Sequence, residues 1–286
     1  MTKAVNPNKS LGQHFLTDVN FCNKIATFAG IKPEDTVIEI GPGTGNLTDV
    51  LLNIARKIIG IEYDLEMIRH LSSRFLAGDR PEGQLELVHA DILNLDWNTI
   101  LPLLTLVPPA TRSSNLLPVV QAKLVGNLPY NIATRILSSM MEMNFRFQTA
   151  VVMVQREVAQ RITATPNTKD YGYFSLLMQF HYTIQRGFAV PPGAFFPRPK
   201  VVSQVIQFTP HSVELEKTSY PTFVKLIRAA FGQRRKTLWN NLKLAVTDQR
   251  ALSRIFEDCG IAENARPEQV SLQQFLCMTR MLSYTS

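Results

Sequence analysis

Val37-Ile38-Glu39-Ile40 runs without a break into Gly41-Pro42-Gly43-Thr44-Gly45, and a helical pattern carrying Leu47, Val50, Leu51 and Ile54 follows at once. A β-rich apolar run, a glycine turn and a helix start, in that order, constrain the fold more than any other feature of the chain. Glycines let a backbone take positive φ and approach a ligand closely, so such turns cradle nucleotides at the end of a strand. The alternation recurs: short β-rich runs at 36–40, 57–62, 85–89, 123–125 and 150–154 are separated by longer helical patterns. This spacing predicts an α/β fold with a doubly wound, mostly parallel sheet, covered on both faces, with ligands at the carboxyl ends of the strands. Runs at 182–190 and 201–208 have no helix between them and predict an antiparallel pair at one edge. The Pro- and aromatic-rich segment 191–199 that joins them reads as a stiff loop.

Residues 101–119 hold four prolines, Pro102, Pro108, Pro109 and Pro118, and read as a surface excursion. Composition shifts at 209–221, and helical patterns around 223–231, 237–246 and 272–282 follow without further strands. The expected division is therefore a larger domain over 1–210 and a small all-helical domain over 211–286. With 286 residues, 45% of them hydrophobic and 19% charged, the chain has ample material for a core, and disorder and collagen-like structure are excluded. Thirty Lys and Arg against 23 Asp and Glu leave a charge of +7, which favours a polyanionic partner. Cys22, Cys259 and Cys277 lack metal-ligand spacing, so reduced, buried thiols and no metal are expected. No apolar run is long enough to span a membrane and the start of the chain lacks the apolar stretch of a secretory signal, so a cytoplasmic protein is expected.

The dinucleotide fingerprint needs its third glycine where Asn46 stands, which argues against a nicotinamide-dependent oxidoreductase. Glu62 ends the second strand about 20 residues past the loop, where a carboxylate accepts both hydroxyls of a ribose. Asp91 follows the third strand and is placed to accept a hydrogen bond from an adenine amine; a turn-capping carboxylate is the plainer role for such an acid. The fourth strand leads into Asn127-Leu128-Pro129-Tyr130. An exocyclic amine is a poor nucleophile because its lone pair is delocalised into the ring. A site that alkylates it needs neutral acceptors for the amine hydrogens, and the Asn127 side-chain oxygen and the Leu128 carbonyl fit that need. Pro129 fixes the turn, and Tyr130 offers a ring for a flipped base.

Five separated segments in order resemble the small-subunit ribosomal RNA adenine dimethyltransferases, which are S-adenosylmethionine-dependent. They are Leu11-Gly12-Gln13-His14-Phe15-Leu16, the strand and loop from Glu39 to Gly45, Asn127 to Tyr130, the stretch from Phe195 to Ser203, and Phe231-Gly232-Gln233-Arg234-Arg235-Lys236-Thr237-Leu238. The resemblance implies a Rossmann-like methyltransferase domain in which His14, Leu16, Gly41, Gly43, Glu62, Asp91 and Asn127 line the S-adenosylmethionine pocket. It further implies that Asn127, Leu128, Pro129 and Tyr130 form the catalytic segment, and that Phe195 stacks on the face of the target base opposite Tyr130. Many members carry Asn at the position of His14, so this residue is expected as a ligand contact and not as an acid or base. The implied substrate is two neighbouring adenosines in the hairpin loop near the 3′ end of small-subunit rRNA, in an immature ribosomal subunit, with the protein acting as a monomer.

From Lys217 to Thr247 there are seven cations and no acid. Arg234, Arg235 and Lys236, with Trp239 and Asn240 beside them, offer phosphate contacts next to a ring and an amide, which suits folded RNA. The segment 2–8 reads as an arm folding over the donor. A large-subunit rRNA adenine methyltransferase of the macrolide-resistance type and a non-catalytic RNA-binding or transcription factor of the same descent stand as alternatives.

Overall fold

The computed structural model describes residues 7, 11–77, 81–104, 106–107, 117–211, 213, 215, 219–233, 235–244, 246 and 248–284. Its strands are β1 (Phe15–Leu16), β2 (Thr36–Ile40), β3 (Lys57–Glu62), β4 (Leu85–His89), β5 (Leu106–Val107), β6 (Val119–Asn127), β7 (Arg146–Gln155), β8 (Tyr182–Val190), β9 (Phe195–Phe196) and β10 (Ser203–Pro210). Its α-helices are α1 (Val19–Phe28), α2 (Asn46–Leu52), α3 (Leu65–Phe75), α4 (Ala133–Glu142), α5 (Arg156–Ile162), α6 (Tyr173–His181), α7 (Tyr220–Ala230), α8 (Leu238–Leu242), α9 (Gln249–Asp258) and α10 (Leu272–Tyr284).

The main sheet runs β4-β3-β2-β6-β7-β10-β8, with β5 paired to β6 off that path. β2 is parallel to β3 and to β6, β3 to β4, and β6 to β7, whereas β10 is antiparallel to β7. This is the doubly wound, mostly parallel sheet the sequence predicts. All five residues of β2 are buried, as a central strand covered on both faces requires. From β2 the chain steps outward to β3 and β4, then crosses back to β6 and β7 on the other side. Strand order therefore reverses between β2 and β6, and a crevice opens at their carboxyl ends.

β6 and β7 extend beyond their apolar runs, and each contains a buried cation. Lys123 on β6 pairs with Asp35 at 2.8 Å and donates to the Gly30 carbonyl. Arg146 on β7 donates to the carbonyls of Met143, Phe145 and Met141 at 2.7, 2.9 and 3.2 Å. Satisfied in this way, both tolerate burial in the sheet.

The chain separates into two compact units, Met1–Ala159 with Thr183–Pro210, and Gln160–Tyr182 with His211–Ser286. The expected first domain, 1–210, therefore gives up 160–182 to the helical unit. Contacts far apart in sequence hold that segment there. The Tyr171 hydroxyl donates to the Val270 carbonyl at 3.1 Å, the Asn167 N–H donates to Glu268 at 2.8 Å, and Phe180 stacks on Phe223 with ring centroids 4.7 Å apart. The helical unit also contains α9, which the sequence reading leaves out. Asp248 caps it by accepting from the N–H groups of Arg250 and Ala251, and Leu252, Ile255 and Phe256 face inward.

Cys22 is a buried thiol, its pKa pushed up to about 12 by burial. Cys259 and Cys277 form a disulfide with Cα atoms 5.8 Å apart, so the expectation of three reduced thiols holds for Cys22 alone. The fold brings the α9 end and α10 together across 18 residues of sequence, a proximity that spacing does not reveal. Among the described residues no helix is long and apolar enough to cross a membrane, and no cluster of metal-ligating side chains occurs. Arg234, Lys217, the 2–8 arm apart from Pro7, and residues 105 and 108–116 of the 101–119 excursion lie outside the described residues.

Candidate active site

Four parallel strands deliver their last residues to one edge, where they line a cavity of about 300 Å³. β2 gives way to Gly41-Pro42-Gly43, β3 ends in Glu62, β4 leads into Asp91 and β6 ends in Asn127. Gly43 has φ +57°, and a Cβ there would stand 2.8 Å from the Phe15 ring, so the turn accepts only glycine. A Cβ at Gly41 would meet nothing within 4 Å; it would occupy open space that the glycine leaves to a ligand.

Glu62 is 6% exposed. Its two carboxylate oxygens accept one backbone N–H each, from Gly43 at 3.0 Å and Asp64 at 2.9 Å. A carboxylate oxygen has two acceptor positions, so one on each oxygen remains for a pair of hydroxyls. Burial raises its pKa, against the opposing pull of those two N–H groups. Asp91 has two places in the structure. It lines the cavity, and it caps its own turn by accepting from the Leu93 N–H at 3.0 Å and the Asn94 amide at 2.7 Å. Beneath the glycine turn, Glu39 is 1% exposed and accepts from the Thr48 hydroxyl at 2.7 Å. Burial, reinforced by nearby Glu62, pushes its pKa up to about 8.

At the other end of the cavity the Asn127 amide donates from Nδ2 to the His14 backbone carbonyl at 2.8 Å. A carbonyl only accepts, so this bond fixes the amide orientation and leaves Oδ1 as the acceptor available to a ligand. The Leu128 N–H donates to the Met153 carbonyl at 3.1 Å, while the carbonyl of Leu128 receives no hydrogen bond among the described residues. Two neutral acceptors thus stand side by side at the end of β6. The Tyr130 hydroxyl shares a hydrogen bond with that of Ser203. Burial raises the Tyr130 pKa, so the ring is a neutral phenol at neutral pH. The His14 ring stacks on it with centroids 5.4 Å apart and planes at 30°. His14 Nδ1 donates to the Pro197 carbonyl at 2.7 Å, which leaves Nε2 without a proton in the neutral ring.

The segment from Leu11 to Phe15 closes one side of the cavity, with the Gln13 amide donating to Asp64 at 3.0 Å. His14, Gly41, Gly43, Glu62, Asp91, Asn127, Leu128, Pro129 and Tyr130 therefore meet in one place, as the sequence reading expects. Leu16 and Phe195 do not line the cavity. They are opposed on the β1–β9 pair, are 5% and 3% exposed, and pack into the core. Side chains alternate along a strand, so Phe15 and Phe196 take the other face. What Leu16 can offer a ligand is backbone, and its carbonyl already accepts from Asn46 at 2.8 Å. Phe195 presents no ring face to a base, and Phe196 beside it is 61% exposed.

Several lining residues escaped the sequence reading, Arg135 and Asn131 among them. Arg135, on the first turn of α4, is the one Lys or Arg at the cavity, is exposed, and has no hydrogen-bond or ion-pair partner among the described residues. The signal was its place five residues past Tyr130, at the start of the helix that follows the Asn-Leu-Pro-Tyr turn. In the helical unit Arg235 and Lys236 are exposed. Trp239 and Asn240 are engaged otherwise. The Trp239 ring packs edge-on against Phe256 at 5.3 Å, and the Asn240 amide donates to the Thr237 hydroxyl that caps α8.

The family described as ribosomal RNA adenine dimethylase matches residues 4–283. The chain is 35% identical to ribosomal RNA small subunit methyltransferase A of Geobacter metallireducens over 288 residues, covering 98% of this chain and 97% of that protein. It is 37% identical to the protein of the same name from Clostridium perfringens over 273 residues, 94% and 88% of the two. Among solved structures, a dimethyladenosine transferase from Plasmodium falciparum superposes with a TM-score of 0.72 at 25% identity, covering 93% of this chain and 96% of that one. The 23S rRNA methyltransferase ErmE superposes at 0.69 and 23% identity over 94% and 99%, a likeness of fold.

Proposed function

The chain belongs to the ribosomal RNA adenine dimethylase family, and from that premise we propose that it transfers methyl groups from S-adenosylmethionine to the exocyclic amines of two adjacent adenosines in the 3′-terminal hairpin loop of small-subunit rRNA. It does so as a monomer, in the cytoplasm, on an immature ribosomal subunit. The observation that carries the reading is the pair of neutral acceptors at the end of β6, the oriented Asn127 Oδ1 and the unengaged Leu128 carbonyl.

The residues at the glycine turn suit the methyl donor. Glu62 keeps an acceptor position on each oxygen for the ribose hydroxyls, Asp91 retains acceptor capacity for an adenine amine, and Gly41 leaves the backbone bare. The donor supplies a methyl group on a positively charged sulfur, which is displaced in line by the amine nitrogen. Asn127 and Leu128 accept the two amine hydrogens and draw that nitrogen toward tetrahedral geometry, aiming its lone pair. The neutral Tyr130 ring takes the flipped base on the face that His14 leaves open. No general base is needed, because the amine nitrogen becomes acidic as it is alkylated and releases its proton to water. Arg135, cationic and unpaired at the rim, holds a phosphate of the flipped nucleotide. Arg234, Arg235 and Lys236 contact rRNA phosphates elsewhere.

The test is incubation of purified protein with labelled S-adenosylmethionine and small ribosomal subunits that lack adenine dimethylation, with large subunits in parallel, followed by mass analysis of the rRNA. Dimethyladenosine in small-subunit rRNA alone, lost in Asn127→Ala, is the expected result. Label in the large subunit would transfer the protein to the resistance-type activity, and donor binding without any label would leave RNA binding alone.

A further inference from the structure

Phe196 is a large apolar side chain, 61% exposed, and the strand register relates it to the cavity. It lies directly opposite Phe15 on the antiparallel β1–β9 pair, while Phe195 lies opposite Leu16. Residues opposed in this way project from the same face. Phe15 lines the cavity and its ring abuts Gly43, so Phe196 stands on the cavity side of the pair and the buried Phe195 on the core side. The segment is also tied to the base-stacking ring. Pro197, the next residue, accepts from His14 Nδ1 at 2.7 Å, and the His14 ring stacks on Tyr130. Ala194, two residues before, accepts from the N–H of Thr17 at 2.8 Å and from its hydroxyl at 3.1 Å. The exposed ring is thus held in register with Tyr130. Arg198 and Lys200 follow it within four residues, both exposed, and no acid occurs from residue 171 to residue 213.

From this placement we propose that Phe196 is the platform on which the nucleobase next to the target adenosine stacks while the target occupies the cavity, with Arg198 and Lys200 on the flanking phosphates. The inference rests on the reading of the preceding section and adds a contact to it. One cavity serves two adjacent adenosines. When the first is drawn out of the stack, its neighbour loses a stacking partner and exposes a purine face at the rim. An aromatic ring beside cations is the arrangement that receives an unstacked base of any identity. Such a platform lets the two adenosines exchange places without the RNA leaving the protein.

The test compares wild type, Phe196→Ala and Phe196→Trp on undermethylated small subunits, and repeats the assay on subunits reassembled with rRNA that carries an abasic nucleotide beside the target. For Phe196→Ala the expected result is a KM for subunits raised about tenfold, as for one lost stacked base. The kcat and the donor affinity remain within about twofold of wild type, and Phe196→Trp restores the KM. On the abasic substrate, wild type and Phe196→Ala have equal KM. An unchanged KM in Phe196→Ala, a tenfold difference that persists on the abasic substrate, or a parallel loss of donor affinity would overturn the platform. Wild type that methylates no small subunit would instead sink the reading on which the platform stands.

Discussion

Replacing Glu39 by glutamine changes how the stability of the sheet unit depends on pH, by an amount the structure fixes. Burial raises the Glu39 pKa from an ordinary 4.5 to about 8. Between these values the folded protein holds a proton that the unfolded chain has released, so stability falls as pH rises, by about 1.4 kcal/mol per pH unit for one such group. From about pH 5.5 to about pH 7.5 the loss is about 3 kcal/mol, two units at that slope. The glutamine side chain is isosteric, accepts the Thr48 hydroxyl through its own Oε1, and does not titrate. The raised pKa of Glu62 acts in the same direction in both proteins and cancels in the difference. Urea unfolding, read by the fluorescence of Trp97 in a Trp239→Phe background, reports on the unit that contains Glu39, where Trp97 packs against Phe145 and Phe147. The two proteins should be close in stability near about pH 4 and diverge with rising pH, the glutamine variant gaining about 3 kcal/mol over the wild type between about pH 5.5 and about pH 7.5. Parallel pH profiles would refute the argument, since they would mean that Glu39 is ionised in the folded state throughout.

Gly43→Ala places a methyl 2.8 Å from the Phe15 ring at φ +57°, so donor affinity measured by calorimetry should fall at least tenfold, with about 1–2 kcal/mol of stability lost to the backbone conformation. Unaltered affinity would show that the turn can relax without disturbing the donor. Asn127→Ala should lower the chemical rate by about two to three orders of magnitude, as for an oxyanion-hole donor. The first and second methyl transfers should suffer unequally, because the monomethylated amine has one hydrogen left to donate; equal losses count against separate acceptor roles for Asn127 and Leu128. Arg135→Ala should raise the KM for subunits, reduce the salt slope by about one, and spare donor affinity. If donor binding falls and the RNA parameters hold, Arg135 serves the donor carboxylate.

The parallel strands and the four-strand edge were readable because buried parallel strands are continuous apolar runs bounded by glycine and polar turns, a pattern local in sequence. The limits of β6 and β7 were not, since exposed Gln121 and Gln148 interrupt the runs and the buried Lys123 and Arg146 are stabilised by partners that only the fold supplies. The same reason hides residues 160–182, whose attachment to the helical unit rests on Val270 and Glu268, about a hundred positions away. By contrast α9 carried a legible signal. Asp248 followed by Leu252, Ile255 and Phe256 is a cap with an i, i+3, i+4 stripe, and its many charges masked it. At the site, residue types gave the chemistry of Asn127 and Leu128, while orientation came from a backbone carbonyl at His14 that no motif announces. Phe195 and Phe196 could not be told apart without the strand register, which decides which ring faces in. Trp239 and Asn240, read as RNA contacts, also pack edge-on against Phe256 and partner the Thr237 cap, respectively, contacts that only the fold reveals.

The pairing of Phe15 with Phe196, and of His14 with Pro197 across 183 positions, ties the completion of the cavity to the order of synthesis. Strands β2 to β4 and the glycine turn are made early, and β2 gains its second neighbour when β6 is made. The wall formed by the Leu11 to Phe15 segment has no strand partner until residues 195–197 emerge, by which time all the parallel strands have been made. Long-range pairing of this kind is slow to form. A nascent chain on a ribosome therefore carries an unfinished pocket until more than two thirds of its 286 residues have been made.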